Sequence, residues 1–320
     1  MQRSDLAVPL APAMSLARGK GDANTVGRVS VVIPTYNREE SLCQTIDDML
    51  GQDYDDFEVI VVDQTRKHVP EVADYLEKLP QRVRYITLDN ANLPAARNVG
   101  IKHATGNVII FIDDDIRAPV GFVRAHAENY RDPTVMAVAG AVLGAQGRFT
   151  SEWPNEARDR YLSHFHANWS YKDRIDVKHA RGANHSFRRC VPEHVGMFDE
   201  HYVGPAMREE ADFYFRVWKC GMRIVYDPNC WLEHFPPVQA GGCWAAHDGI
   251  SSTLRFYNHA YFILKNLPRH QWIRMLMESL WSSFRRRETL RLGAGNLTKL
   301  GRFIAGWYRA FRRRPWINGA

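Results

Sequence analysis

The sequence predicts an α/β protein with a mostly parallel sheet and helices on both faces. Two observations carry that expectation. Short β-branched runs alternate four times with segments of helical apolar spacing, and short loops join them. Each run is apolar nearly throughout, the mark of a buried strand. A third observation narrows the class: the chain has no GxGxxG after its first strand and no GxxxxGK[ST]. Ordinary dinucleotide folds and P-loop enzymes lose ground accordingly.

Residues 28–34 form the first predicted strand, closed by Pro34. Leu42, Ile46, Met49 and Leu50 then predict a helix over 38–50. A second strand over 57–62 ends at Asp63-Gln64-Thr65, a helix covers 69–79, and a third strand covers 83–88. The third helix, 93–104, has Asn92 as its N-cap, Pro94 in its first turn and Gly106 as its stop. The fourth strand, Val108 to Ile112, runs directly into Asp113-Asp114-Asp115.

Side chains alternate along an extended chain, so Asp113 and Asp115 project to one side and Asp114 to the other. Two carboxylates so placed repel, and a hard divalent cation is the natural partner. The alternative is an acidic turn capping a helix with Pro119 in its first turn. In sheets of this kind ligands bind beyond the carboxyl ends of the strands. Those ends supply Tyr36, then Asp63 and Gln64, then residues 90–97 with Arg97, then the three aspartates. A ring to stack a base, polar groups to read its edge and cations for phosphates together suit a nucleoside diphosphate.

The chain has 320 residues, enough for one large domain with an appendage, and a formal net charge of +6. Part of that excess lies in two arginine triplets, Arg285-Arg286-Arg287 and Arg312-Arg313-Arg314. A basic tail of this kind meets nucleic acid, anionic lipid or only water. Five scattered cysteines make no metal or disulfide framework and fit a reducing compartment. Pro9 and Pro12 interrupt the only apolar patch before Gly27, which reads as a flexible leader rather than a signal peptide. No run of about eighteen apolar residues occurs, so no transmembrane helix is expected. A cytoplasmic protein, peripheral on the cytoplasmic face of the membrane, fits best.

The ordered motifs resemble those of family 2 glycosyltransferases. They are Val31-Val32-Ile33-Pro34-Thr35-Tyr36-Asn37-Arg38, Val61-Val62-Asp63, Ala96-Arg97-Asn98-Val99-Gly100 and Phe111-Ile112-Asp113-Asp114-Asp115. They continue through Gly182-Ala183-Asn184, Gly196-Met197-Phe198-Asp199-Glu200, Arg208-Glu209-Glu210-Ala211-Asp212-Phe213 and His234. The resemblance spans roughly residues 28–235 and implies a GT-A fold and inverting transfer from nucleotide-activated sugars. It places Pro34 and Tyr36 beside the base, Asp63 and Gln64 in the base-reading loop, and Arg97 near the donor phosphates or ribose. Gln64 replaces the usual second acid there; an amide still reads uracil or thymine, so UDP and dTDP both stay open. The resemblance makes Asp113 and Asp115 the DxD motif, with Asp114 beside them at the donor, and Mn²⁺ or Mg²⁺ held by Asp115, Asp113 and His234.

Acids in the first turn of a helix from Glu209 to Gly221 suit its dipole without further role. The family pattern instead makes the second acid, Glu210 here, the general base, with Glu209 as second candidate. Gly182, Ala183, Asn184 and Asp212 are expected in the sugar or acceptor pocket, and Asp212 also pairs with Arg216 four residues on. Aromatic residues between Trp153 and Asp176 (Trp153, Tyr161, His164, His166, Trp169, Tyr171) line that pocket or join the core. Gly241-Gly242 suggests a loop, and Trp272, Leu276, Leu280, Phe284 and then Leu297, Leu300, Ile304, Trp307, Phe311 have helical spacing. The expected organisation is a leader over 1–27, a GT-A domain over 28–240, and a basic amphipathic helical region over 241–320.

The function expected is transfer of a sugar from a nucleotide-sugar donor to a glycan or lipid-linked acceptor in cell-surface polysaccharide or glycolipid assembly. Alternatives are a nucleotidyltransferase and a non-catalytic membrane- or nucleic-acid-binding protein. Nucleic acid is not an expected partner of the transferase; the terminal helices meet an anionic membrane surface or form a homo-oligomer contact.

Overall fold

The computed structural model describes residues 26–144, 169–235, 249–284 and 294–313. Its first half alternates β1 (Val29–Thr35), α1 (Glu40–Leu50), β2 (Phe57–Asp63), α2 (Pro70–Glu77), β3 (Val83–Thr87), α3 (Leu93–His103) and β4 (Val108–Ile112). These four strands are parallel, in the order β3-β2-β1-β4. Every residue of β1, β2 and β4 is buried, so both faces of this half are covered. Asn92 caps α3 as expected, its side chain accepting from the Ala95 N–H at 2.9 Å. Helix α3 lies close on the sheet at Gly100, where a Cβ would come 2.3 Å from the Val32 side chain.

Beyond β4 come β5 (Ile116–Arg117), α4 (Phe122–Asn129), β6 (Val135–Leu143), β7 (Ile175–Val177), β8 (Asn184–Arg188), α5 (Val191–Val195), α6 (Glu209–Lys219) and β9 (Arg223–His234). Among the described residues, nine strands form one sheet in the order β3-β2-β1-β4-β8-β6-β9-β5, with β7 also on β9. Strand β8 runs antiparallel to both β4 and β6, so the sheet is parallel in its first half and mixed in its second. A two-residue strand follows the three aspartates, not the capped helix considered as the alternative; α4 begins at Phe122, and Pro119 lies before it.

One core lies around this sheet. Trp169 and Tyr171 belong to it, packed near Tyr226, so these two rings follow the second of the two readings and join the core. Trp153, Tyr161, His164, His166, Gly241-Gly242, Arg285 to Arg287 and most of the leader lie outside the described residues. A second core joins Tyr202, Ala206, Ala211 and Phe215 to α7 (Gly249–Asn266), with Met275 of α8 (Arg269–Phe284) and Ala310 of α9 (Ala294–Arg313). Helix α9 lies on α7 at Gly306, where a Cβ would sit 2.7 Å from the Phe256 side chain.

Candidate active site

Strand β4 delivers the acidic triplet to the carboxyl edge of the sheet, and β9 returns to the same point. Ile116 pairs with His234 across β5 and β9, which brings that imidazole beside the aspartates. Its Nε2 lies 3.1 Å from Asp115 and 3.6 Å from Asp113. One ligating atom from each of the three residues falls within 4.8 Å of the others. Two carboxylates and an imidazole that converge so closely fit a divalent cation with oxygen and nitrogen ligands. Burial opposes a charge on His234, but hydrogen bonds and charges from Asp113 and Asp115 outweigh it and push its pKa up to about 10. Burial likewise works to raise Asp113, yet His234, Arg97 and Arg181 hold its carboxyl below the ordinary value.

The alternation of side chains separates Asp114 from this group, as expected. Its carboxylate faces the buried Arg38, whose Nε donates to it at 3.2 Å while Nη2 donates to Asp115 at 2.9 Å. Burial pushes Asp114 up to about 7, with Arg38 opposing and Asp115 adding to the rise. Asp114 is thus buried, with Arg38 as its partner. Asp115 also lines a cavity of about 190 Å³ with Ser41, Gln44, Arg117 and Phe235. That is smaller than a site for a drug-sized ligand, which takes about 300 Å³ or more.

At the ends of β1 and β2, Pro34 is buried and Tyr36 is half-buried. Asp63 is fully buried and accepts from the Thr65 N–H at 2.7 Å and the Tyr85 hydroxyl at 2.8 Å, with His68 Nε2 2.7 Å away. Gln64 donates to the Thr35 carbonyl at 3.3 Å and accepts from the Asn92 N–H at 2.5 Å. Both side chains therefore brace the loop that follows β2. Each amide atom of Gln64 makes one backbone bond, which leaves one N–H and one oxygen lone pair of the side chain.

Across the rim, Arg97 is 1% exposed and sits under the edge rather than on it. It forms a buried ion pair with Glu209 and donates from Nη2 to the Gly182 carbonyl at 3.1 Å, with its guanidinium over the rings of Phe198 and Phe111. Its charge also acts on Asp113, holding that carboxyl down. Glu209 is 1% exposed and held by that pair, whereas Glu210 is half-buried and joins no hydrogen bond or ion pair among the described residues. The two neighbours thus differ in freedom. Arg208, just before them, has φ 84°, and Ala206 and Asn37 also have positive φ, all three in loops that border the site.

Two expected pocket residues turn elsewhere. Asn184 is fully buried: its amide donates to the Ala141 and Cys230 carbonyls at 2.8 Å each, and its oxygen lies 3.0 Å from His126 Nε2. Asp212 is fully buried and accepts from Asn266 at 2.8 Å, Lys265 at 3.0 Å and Arg216 at 3.1 Å. Neither side chain carries exposed surface, and these bonds tie separate elements of the fold together. Ala183 is buried and Gly182 half-buried beside Arg97. Two cations went unassigned in the sequence. Arg38 stands in the first motif, and the exposed Arg181 immediately precedes Gly182 and acts on Asp113 through its charge.

An α/β sheet with an acidic strand end and a nearby histidine fits the class of glycosyltransferases. Residues 30–195 match the family model for Glycosyl transferase family 2, just over half of the chain, and the chain belongs to that family. It is 27% identical over 222 residues to the glucosyl-dolichyl phosphate glucuronosyltransferase of Haloferax volcanii, covering 65% of this chain and 69% of that one. It is 41% identical over 137 residues to the uncharacterized glycosyltransferase EpsJ of Bacillus subtilis, covering 42% of this chain and 40% of that one. The solved structure of S. aureus TarS 1-349 superposes with a TM-score of 0.56 at 17% identity, covering 90% of this chain and 82% of that one. The fold is GT-A, as the sequence motifs implied.

Proposed function

We propose that the protein transfers a sugar, with inversion and with a divalent metal, from a nucleotide-sugar donor to a hydroxyl of a glycan or lipid-linked acceptor. The observation that carries this reading is the convergence of Asp113, Asp115 and His234 at one strand end. Mn²⁺ or Mg²⁺ held by these three would supply positive charge to the departing diphosphate. Arg181 stands exposed near Asp113 and adds a further cation for the phosphates. Tyr36 offers a ring to the base of a UDP- or dTDP-linked donor.

Glu210 takes the acceptor proton in this scheme, as the hydroxyl attacks the anomeric carbon and the bond to the diphosphate breaks. It is the acid left open at the start of α6, while Glu209 is committed to Arg97. Similarity to an enzyme named for transfer to a dolichyl-phosphate-linked glucose supports a lipid-linked acceptor in polysaccharide or glycolipid assembly.

The test is a panel of UDP-, dTDP- and GDP-sugars with Mn²⁺ or Mg²⁺, following release of nucleoside diphosphate. Turnover of one donor that is lost in Asp115→Ala is the expected result. Release of pyrophosphate from a nucleoside triphosphate would instead establish nucleotidyl transfer. Indifference to Asp115→Ala would remove the metal-assisted reading.

A further inference from the structure

The last two helices expose a row of large apolar side chains. On α8 these are Ile273, Met277 and Trp281, which are 77, 59 and 71% exposed. On α9 they are Leu297, Ile304, Tyr308 and Phe311, between 54 and 65% exposed. Three-, four- and seven-residue spacings set each group on one face of its helix. The inward face of α9 is already occupied, because Phe303 and Ala310 are buried and Gly306 meets α7. The two helices meet at the end of α8: Lys299 Nζ donates to the Ser283 carbonyl at 2.5 Å, and the rings of Phe284 and Phe303 lie 6.5 Å apart.

Charge decides what covers this face. Helix α9 contains no acidic residue; of its five cations Lys299 is bonded to α8 and Arg309 lies over Tyr257 of α7, while Arg312, beside the exposed Tyr308, and Arg313 stand exposed at its end. On α8 the one acid, Glu278, is bonded to Arg274 at 2.8 Å. A second copy placed on this face would bring like charges together. A surface of lipid phosphates would complement them, and polybasic segments are drawn to such surfaces. No helix among the described residues is long and apolar enough to cross a membrane, so a helix pair of this composition lies on a bilayer rather than through it.

We propose that the exposed face of α8 and α9 binds the surface of an anionic bilayer. Ile273, Met277, Ile304 and Phe311 enter the boundary between headgroups and acyl chains. Trp281 and Tyr308 sit at headgroup level, as such rings do, and Arg312 and Arg313 meet the phosphates. The proposal rests on no step of sugar transfer and stands or falls separately from it.

The test is co-sedimentation of the full chain with two kinds of vesicle, phosphatidylcholine alone and phosphatidylcholine with roughly one lipid in three replaced by phosphatidylglycerol. The expected result is capture by the anionic vesicles only, weakened by added salt. Paired Ile304→Glu and Phe311→Glu substitutions abolish capture. Paired Arg312→Gln and Arg313→Gln substitutions, which leave the apolar row intact, weaken it by about fivefold per arginine. Failure to bind either vesicle overturns the proposal, as does equal binding to both or indifference to both pairs of substitutions. A dimer in sedimentation velocity that the glutamate pair dissolves, with no vesicle binding, would assign the face to a second copy instead.

Discussion

At the scale of single residues, the site separates acids that neighbour one another in sequence. Successive positions on a helix point about 100° apart, so burial rather than spacing decides between Glu209 and Glu210. Replacing Glu210 by Gln should lower kcat by about 10²–10⁴-fold while donor affinity stays near its starting value, measured by single-turnover kinetics alongside calorimetry. Glu209→Gln should behave differently. It leaves Arg97 buried without its charge partner, and a loss of about 3–5 kcal/mol in unfolding free energy is expected from denaturant titration. Equal melting behaviour of both variants would remove this distinction. The acidic triplet, its alternation and the DxD resemblance were legible in the chain. The partner of Asp114 was not: Arg38 belongs to the loop after a different strand, and only the β1–β4 pairing brings the two together. The backbone partners of Gln64, the Thr35 carbonyl and the Asn92 N–H, were likewise hidden, since they belong to the end of β1 and the N-cap of α3, far from it in the chain.

Elements were legible wherever periodicity and punctuation agreed, as in α3 between Asn92 and Gly106. The antiparallel entry of β8 between β4 and β6 was not, because strand direction has no signature in local alternation. That junction depends on Gly140. A Cβ there would lie 2.3 Å from both the Cys230 carbonyl and the Asn184 amide, at a break in the β6–β9 register. Gly140→Ala should therefore cost at least the 1–3 kcal/mol typical of overpacking, seen as a lowered melting temperature. The contact of α7 with α6 makes a second test at this scale. Asp212→Ala removes a buried acceptor of four donors and should increase hydrogen exchange across α7, whereas local exchange unchanged from the parent would assign the docking to apolar packing alone. Asp199 adds a pH signature. Burial opposes its charge, but Lys265 and His201 hold its carboxyl well below the ordinary value. A depressed folded pKa gives stability that is present above the unfolded value of about 3.9 and lost as pH falls through the folded one. This tie of α7 to the loop before α6 should hold from neutrality to about pH 4 and weaken only in stronger acid.

For the molecule as a whole, the sequence showed one α/β unit with a helical end, and it did not show how far the two share an interior. Tyr257 and Phe262 of α7 are buried with Tyr202 and Phe215, a contact made by residues far apart in the chain. Donor and metal together should raise the melting temperature of the full chain, since a ligand that binds only the folded state stabilises it by mass action. An unchanged melt at saturating donor would count against a preformed site.

The position of β8 also bears on how the chain emerges from the ribosome. Strands β1 to β4 are complete once residue 112 is made, and they can pair in the order observed. Their open edge is then β4, five apolar residues whose second neighbour, Asn184–Arg188, does not yet exist. At about 5–20 residues per second, that edge waits several seconds for its partner. An unpaired apolar edge recruits other chains. Nascent chains halted at residue 144 should therefore associate with holdase chaperones or aggregate, and those extended past β8 should be released.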